Sequence, residues 1–347
     1  MDKERIAELA EKYYPYVREL RHEFHRNPEL SWKEIRTSRR VMEELERMGV
    51  PYQAHCGNET NVAAYIKGSG SGLGKTIMLR ADMDALPIQE DESHELCSET
   101  PGVMHACAHD GHIASMLGTV RILNELKDQF SGTIKIAFEA GEEDGGGAKD
   151  FVKAGFLDDV EAVFGCHLFG TVKEGVFATR VGDFMSASDA LWLKIRGRGG
   201  HSSTPHLAVD PVNIAAQFIT DSQAIVARMA APTDIAVLGF STIQGGTVYN
   251  TIPDEVNISG SLRCFSEETR ELIRRGMEGI LKGLCQAYGA EYELRYTNTM
   301  YAVHNDERLT KMAVESAAKV VGSDHIDLLQ YPQMGSETFA FYREKAP

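Results

Sequence analysis

The sequence predicts an α/β protein of two domains: a mixed, largely parallel sheet with helices on both faces, and a smaller α+β domain inserted into it. Three observations predict this. Over residues 1–184 short β-rich runs alternate with helical periodicity, over residues 185–297 the order becomes β-α-β-β-α-β, and over residues 298–347 helical periodicity returns. A chain of 347 residues is also too long for one typical core and comfortable for two.

From Glu4 to about His25 apolar residues recur at helical spacing, and "NPELSWKEIRTSRRVMEELERMG" reads as a second helix stopped by Gly49. "NVAAYIKG" and "KTIMLRADMD" read as strands, "HIASMLGTVRILNELKDQ" as a helix, and "GTIKIAFEA" and "EAVFGCHLF" as strands. In a parallel sheet the ligand sits beyond the carboxyl ends of the strands. Three polar strand tails, "RADMD", "EAGEEDGGG" and "GCHLFG", end there.

The second region opens with the strand "ALWLKIRG", followed by the helix "DPVNIAAQFITDSQAIVARMA", with Asp210 as N-cap and Pro211 at its first position. The strands "IAVLGFSTIQGG" and "EVNISGSLRCF", the helix "SEETRELIRRGMEGILKGLCQAYG" and the strand "AEYELRYTN" complete it. This is the order of a ferredoxin-like split unit. "DERLTKMAVESAAKVVG" and "SETFAFYREK" are helical again, so the first domain is discontinuous (1–184 and 298–347) and residues 185–297 are the insertion.

Composition narrows the function classes. Hydrophobic residues make up 43% and charged residues 25%, ordinary globular values, and 36 basic against 51 acidic residues give a net charge of −15. That sign argues against nucleic-acid and anionic-membrane partners, which need positive potential. The start, "MDKERIAELAEKYYPYV", has no apolar signal region, and no apolar run approaches a membrane span. Six cysteines in so long a chain form no compact disulfide framework and are expected reduced, in a cytoplasmic protein.

"MHACAHDGH" concentrates the chemistry. Cys107 and His109 are two apart, so an extended segment would project both to one face, and His109 and His112 share a face at the start of the next helix. Asp110 is placed to accept an imidazole N–H. In "EAGEEDGGG" adjacent glutamates diverge, so that Glu143 can bind a cation while Glu142 reaches a water beside it; alone, such a pair is more often two solvated carboxylates. His167 closes an apolar strand, where a hydrogen-bonded core histidine is the ordinary alternative. Asp82 and Asp84 share a face and either ligate or orient a histidine. Cys107, His109, Glu143 and His167 together form a borderline-soft donor set suited to zinc or another late first-row cation, and such a site activates water for hydrolysis.

The segments "RHEFHRNPELSWKE", "RADMDALPI", "MHACAHDGH", "GEEDGGGAK", "GCHLFG", "GRGGHSSTPH", "VYNTIPDEV" and "MGSETF" resemble, in order, the M20 metallopeptidase family. More narrowly they resemble its N-acyl-amino-acid amidohydrolase branch, with the hippurate and auxin-conjugate hydrolases. The resemblance implies a catalytic domain holding two divalent metal ions (zinc, or manganese, cobalt or nickel) and an inserted lid that also makes a homodimer. It places Cys107, His109, Glu143 and His167 on metal-ligand positions, Glu142 on the general acid/base, and Asp84 on the aspartate that steadies the site. In the lid it implies that His201 stabilises the oxyanion in the neighbouring subunit, and that Asn250 and Arg263 bind substrate. An arginine fork fits the free carboxylate of an N-acyl amino acid or small peptide.

Two departures stand out. Relatives usually carry Gly where this chain has Ala108, a modest change if the local φ is negative. A further histidine after the "MGSETF" segment usually completes the second metal site; none follows here before Pro347, and His325 precedes the segment, so the second site is expected to be incomplete. That departure motivates an alternative, a catalytically impaired or silent binding or regulatory relative. A third reading, Cys107 as thiol nucleophile with His109 as base, is disfavoured because the two-residue separation suits co-ligation better.

Overall fold

Leu9, Tyr13, Leu20 and Phe24 recur at helical intervals and form the buried stripe of α1 (Lys3–Arg26) in this computed structural model, which describes residues 3–347. Helix α2 (Ile35–Arg47) follows, but it starts later than its periodicity suggests. Pro28 and a left-handed Trp32 (φ 66°) hold residues 28–34 out of the helix, and Glu29 takes the N-cap role by accepting the Arg36 and Thr37 N–H groups.

The chain then forms β1 (Tyr52–Ala54), β2 (Val62–Lys67), β3 (Lys75–Asp82), α3 (His109–Glu125), β4 (Gly132–Glu139), α4 (Gly147–Lys153), β5 (Ala162–Gly165) and β6 (Phe177–Thr179). The main sheet has the order β1-β2-β4-β3-β5. It is mixed rather than largely parallel: β4-β3 and β3-β5 are parallel, whereas β1-β2 and β2-β4 are antiparallel. The link from β1 to β2 is too short for a helical crossover, which forces an antiparallel pair. One face buries Ile134, Ile136 and Phe138 against Leu20, Phe24, Val41, Leu45, Ile113 and Leu117 of the first three helices. Lys135, pointing the other way, reaches the Phe156 carbonyl and Asp159.

The rest of the chain forms β7 (Gly182–Met185), β8 (Ala187–Arg196), β9 (Gly200–His201), α5 (Pro211–Ala224), β10 (Val237–Gln244), β11 (Thr251–Ile252), β12 (Glu255–Cys264), α6 (Glu267–Tyr288), β13 (Glu291–Met300), β14 (Val303–Asn305), α7 (Glu307–Val321) and β15 (Ile326–Leu328). Two compact units result. One holds the described residues up to Gly182 with Asn305–Gln330 and Thr338–Pro347; the other holds Asp183–His304 and Tyr331–Glu337.

The second unit has a four-stranded antiparallel sheet in the order β10-β12-β8-β13. Its core joins Leu191, Leu193 and Ile195 to Ile214 and Phe218 of α5 and to Ile273, Met277 and Leu281 of α6. Asp210 caps α5 through the Val212 and Asn213 N–H groups, and Ser266 caps α6 through Thr269. All six cysteines are free.

Candidate metal centre

Strand β3 pairs in parallel with both β4 and β5, so their carboxyl ends lie side by side. Asp82 ends β3 and Asp84 lies just beyond it, beyond β4 come Glu142 and Glu143, and beyond β5 comes His167. Helix α3 begins beside them at His109.

Cys107 stands in a turn, and Ala108 is left-handed (φ 62°, ψ 24°). The turn, not an extended segment, turns Cys107 and His109 toward one point. An L-residue pays about 1–2 kcal/mol in this conformation, so alanine here is not the modest change that a negative φ would make it.

Cys107 Sγ lies 3.3 Å from His167 Nε2. His167 Nδ1 donates to the Leu168 carbonyl at 2.8 Å, which leaves Nε2 as the nitrogen carrying a lone pair. The donor atoms of Cys107, His109 and His167 all lie within 4.8 Å of one another, and so do those of His109, Glu142 and Glu143. His109 is shared by both groups. Glu142 is buried, and its Oε1 accepts the Thr338 N–H at 3.0 Å.

The fit to a cation rests on what is left unsatisfied. Both nitrogens of His109, Glu143 Oε1 and Asp84 Oδ1 are buried without a hydrogen-bond partner. Asp84 Oδ1 is 3.3 Å from His109 Nδ1 and Glu143 Oε1 is 3.9 Å from Nε2, near enough to feel charge but not aligned for hydrogen bonding. Each such buried orphan costs about 1–3 kcal/mol. Sulfur, nitrogen and oxygen donors at this spacing fit zinc or a similar divalent cation.

The electrostatics agree. Burial opposes a charge on His109, but Asp82, Asp84 and Cys107 outweigh it and hold the imidazole pKa well above its ordinary value. Burial also pushes the Cys107 thiol and the Glu143 carboxyl upward. A cation among these donors would favour the ionised thiolate and carboxylate that burial alone disfavours.

Asp82, His109 and His112 also converge, but His112 is satisfied without a metal. Its Nδ1 donates to Asp82 Oδ1 at 2.6 Å and its Nε2 accepts the Leu168 N–H at 2.8 Å. It therefore orients Asp82 and the peptide next to His167. Asp82 is further held by Arg80 at 2.6 Å; burial works against its charge, but Arg80, His109 and His112 keep its carboxyl well below the usual range. Arg80 also binds Glu139, which accepts from Thr338 and Tyr342.

Asp110 does accept an imidazole N–H, but from His25 (3.0 Å) rather than from its neighbours in the motif. His25 Nε2 is 3.0 Å from Glu90. Two carboxylates require two N–H donors, so His25 is an imidazolium, its pKa raised first by Asp110. His105 is buried with neither nitrogen partnered, and burial lowers its pKa to about 4.

Sequence reasoning assigned no role to Arg80, Glu139, His25, Glu90 or Glu34. Glu34 is fully buried: Oε1 accepts the Trp32 and Gly141 N–H groups at 3.0 and 2.8 Å, and Oε2 accepts the Thr60 hydroxyl at 3.0 Å. Burial, together with the Asp84 charge, pushes its pKa up to about 7.

His201, Asn250 and Arg263 belong to the second unit. His201 is exposed on β9, opposite Thr251, with Nδ1 at 2.7 Å from the Ser203 hydroxyl; the Asn250 carbonyl accepts the Ser202 N–H. Arg263, on β12, donates to Ser336 Oγ at 2.9 Å and to the Met334 carbonyl at 3.4 Å.

Comparison with known proteins bears on this arrangement. Residues 78–347 match the model of peptidase family M20/M25/M40. The chain is 37% identical over 348 residues to thermostable carboxypeptidase 2 of Saccharolobus solfataricus, covering 99% of this chain and 87% of that protein. It is 39% identical over 297 residues to an N-acyl-L-amino acid amidohydrolase of Geobacillus stearothermophilus, covering 85% and 80%. Its fold matches the crystal structure of Bacillus subtilis YXEP, described as a dinuclear metal binding peptidase from the M20 family, with a TM-score of 0.81 and 31% identity over 97% of this chain and 87% of that one. A metal-ready cluster at the strand ends and a match over most of the length lead to one conclusion: the chain belongs to peptidase family M20/M25/M40 and is a hydrolase of amide bonds.

Proposed function

We propose that this protein hydrolyses the amide bond of N-acyl amino acids or small peptide-like conjugates, releasing a carboxylate and a free amino acid. The observation that carries the reading is the cluster of His109, Glu142 and Glu143 beside Cys107 and His167, in which both His109 nitrogens and Glu143 Oε1 are buried without a hydrogen-bond partner. In this reading Cys107, His109, Glu143 and His167 hold divalent metal, and Asp84 steadies His109. A divalent cation there supplies Lewis acidity and an acidified water. Glu142 takes the proton of the attacking water and delivers it to the departing amine. Thr338, donating its N–H to Glu142 Oε1, fixes that carboxylate for the transfer.

The second unit is assigned the substrate: Arg263 for its carboxylate, Asn250 for its amide, and His201 for the oxyanion of a neighbouring subunit, with the unit acting as lid and dimer contact. Two metals per chain and a cytoplasmic setting belong to the same proposal. Among the described residues no helix is long and apolar enough to cross a membrane. The alternative of a catalytically silent relative gains no support from relatives that bear hydrolase names.

The test is release of free amino acid from an N-acyl-amino-acid panel, with and without chelator, with Glu142→Ala as control. Turnover that is abolished by both supports the reading; turnover that survives both rules the mechanism out.

A further inference from the structure

The segment Glu29–Glu34 touches two strand ends of the candidate centre and supplies no donor to it. We propose that Trp32 and Glu34 are positioning residues of the carboxylate turn, fixing where Glu142 and Glu143 point; only the activity arm of the test rests on the hydrolase reading above.

Five hydrogen bonds and the packing of one ring carry this. Glu34 receives the Gly141 N–H at 2.8 Å, one residue before Glu142, and the Trp32 N–H at 3.0 Å on the same oxygen. The Trp32 indole N–H donates to Asp144 at 2.8 Å, one residue beyond Glu143. Its ring fills the space over the turn glycines: a Cβ on Gly141 would meet it at 2.7 Å and one on Gly146 at 2.3 Å. On the other side, Ser31 Oγ donates to Asp84 Oδ2 at 2.7 Å, the oxygen that also receives the Glu143 N–H at 3.0 Å.

The two glutamates are thus flanked on both sides by residues gripped from one segment. Trp32 holds a left-handed backbone (φ 66°) to do so, a conformation that a bulky residue keeps only where its surroundings over-determine it. Side chains that orient ligands through a second layer of hydrogen bonds set metal affinity as well as shape.

The experiment measures zinc affinity by competition with a chromophoric chelator, kcat and KM on the best substrate of the panel, and the thermal midpoint. The variants are Glu34→Ala, Glu34→Gln and Trp32→Phe, with Leu20→Ala, a buried truncation in α1, as a stability-matched control. Glu34→Ala should bind zinc about 10-fold or more weakly and lose a similar factor in kcat with KM little changed. Glu34→Gln should recover most of both, because its amide oxygen still accepts the Gly141 N–H. Trp32→Phe, which loses the Asp144 bond and the outer part of the ring but keeps an aromatic group, should fall between. Leu20→Ala should keep zinc affinity and kcat despite its lower midpoint. Zinc affinity and kcat in Glu34→Ala and Trp32→Phe no lower than in Leu20→Ala would overturn the proposal. If Glu34→Ala does not fold, Trp32→Phe with wild-type zinc affinity does so alone. A wild type that turns over nothing sinks the hydrolase reading and leaves the zinc measurement to decide this one.

Discussion

Cys107 Sγ and His167 Nε2 lie 3.3 Å apart although 60 positions separate them in the chain. A turn before α3 and the end of β5 bring them there, and the pair offers a sulfur and an imidazole lone pair to one cation. Cys107→Ser removes the soft donor. Loss of outer-layer partners typically weakens metal binding about 10–100-fold, and loss of a direct donor should exceed that. Chelator competition measures it, and bound zinc should also protect Cys107 of the wild type from alkylation.

Ala108 should be a liability for the fold. Relief of its left-handed strain by glycine is offset in part by the greater freedom of glycine in the unfolded chain, so Ala108→Gly should stabilise by about 0.5–1 kcal/mol. A denaturant midpoint shifted upward at unchanged slope is the expected result.

Much of this centre could be read before the structure, and the parts that could not share a physical cause. Cys107 and His109 stand out through the density of "MHACAHDGH", whereas Glu143 and His167, each with an ordinary alternative when taken alone, stand out only in combination with them. Arg80, Glu139, Glu34 and His25 do not, since a charged residue in a sequence defaults to solvent and only the topology reveals that it is buried and paired. Trp32 escaped for a related reason: helical periodicity in "PELSWKEIRTS" conceals a left-handed residue that tertiary contacts impose. The mixed character of the sheet is legible but its antiparallel share is not, because β1 and β2 join through a loop too short for a crossover, whereas the split β-α-β-β-α-β unit is legible because each helix carries its own cap and apolar stripe.

His25 should give stability a pH dependence. It faces Asp110 and Glu90, with Arg21 and His94 bonded to the same carboxylates and His105 nearby. Its folded pKa is raised above 6.5, so the stabilisation is fully present below pH 6.5 and is lost as pH rises through the folded value. Denaturant unfolding in chelator at pH 6 and pH 9 should show the wild type losing more stability on alkalinisation than His25→Gln. Equal losses would remove His25 from the account.

Glu142 and Glu143 are adjacent yet should separate cleanly. Glu142→Gln should retain zinc while kcat falls by about 10²-fold or more, whereas Glu143→Gln should lose zinc affinity first and recover part of its activity when metal is raised. Equilibrium dialysis beside the activity assay reads both.

X-ray absorption at the metal edge of the zinc-loaded protein tests the central claim most directly. The account predicts a first shell containing one sulfur with nitrogen and oxygen donors, and loss of the sulfur in Cys107→Ser. A shell of oxygen alone, or one unchanged by that substitution, would contradict it.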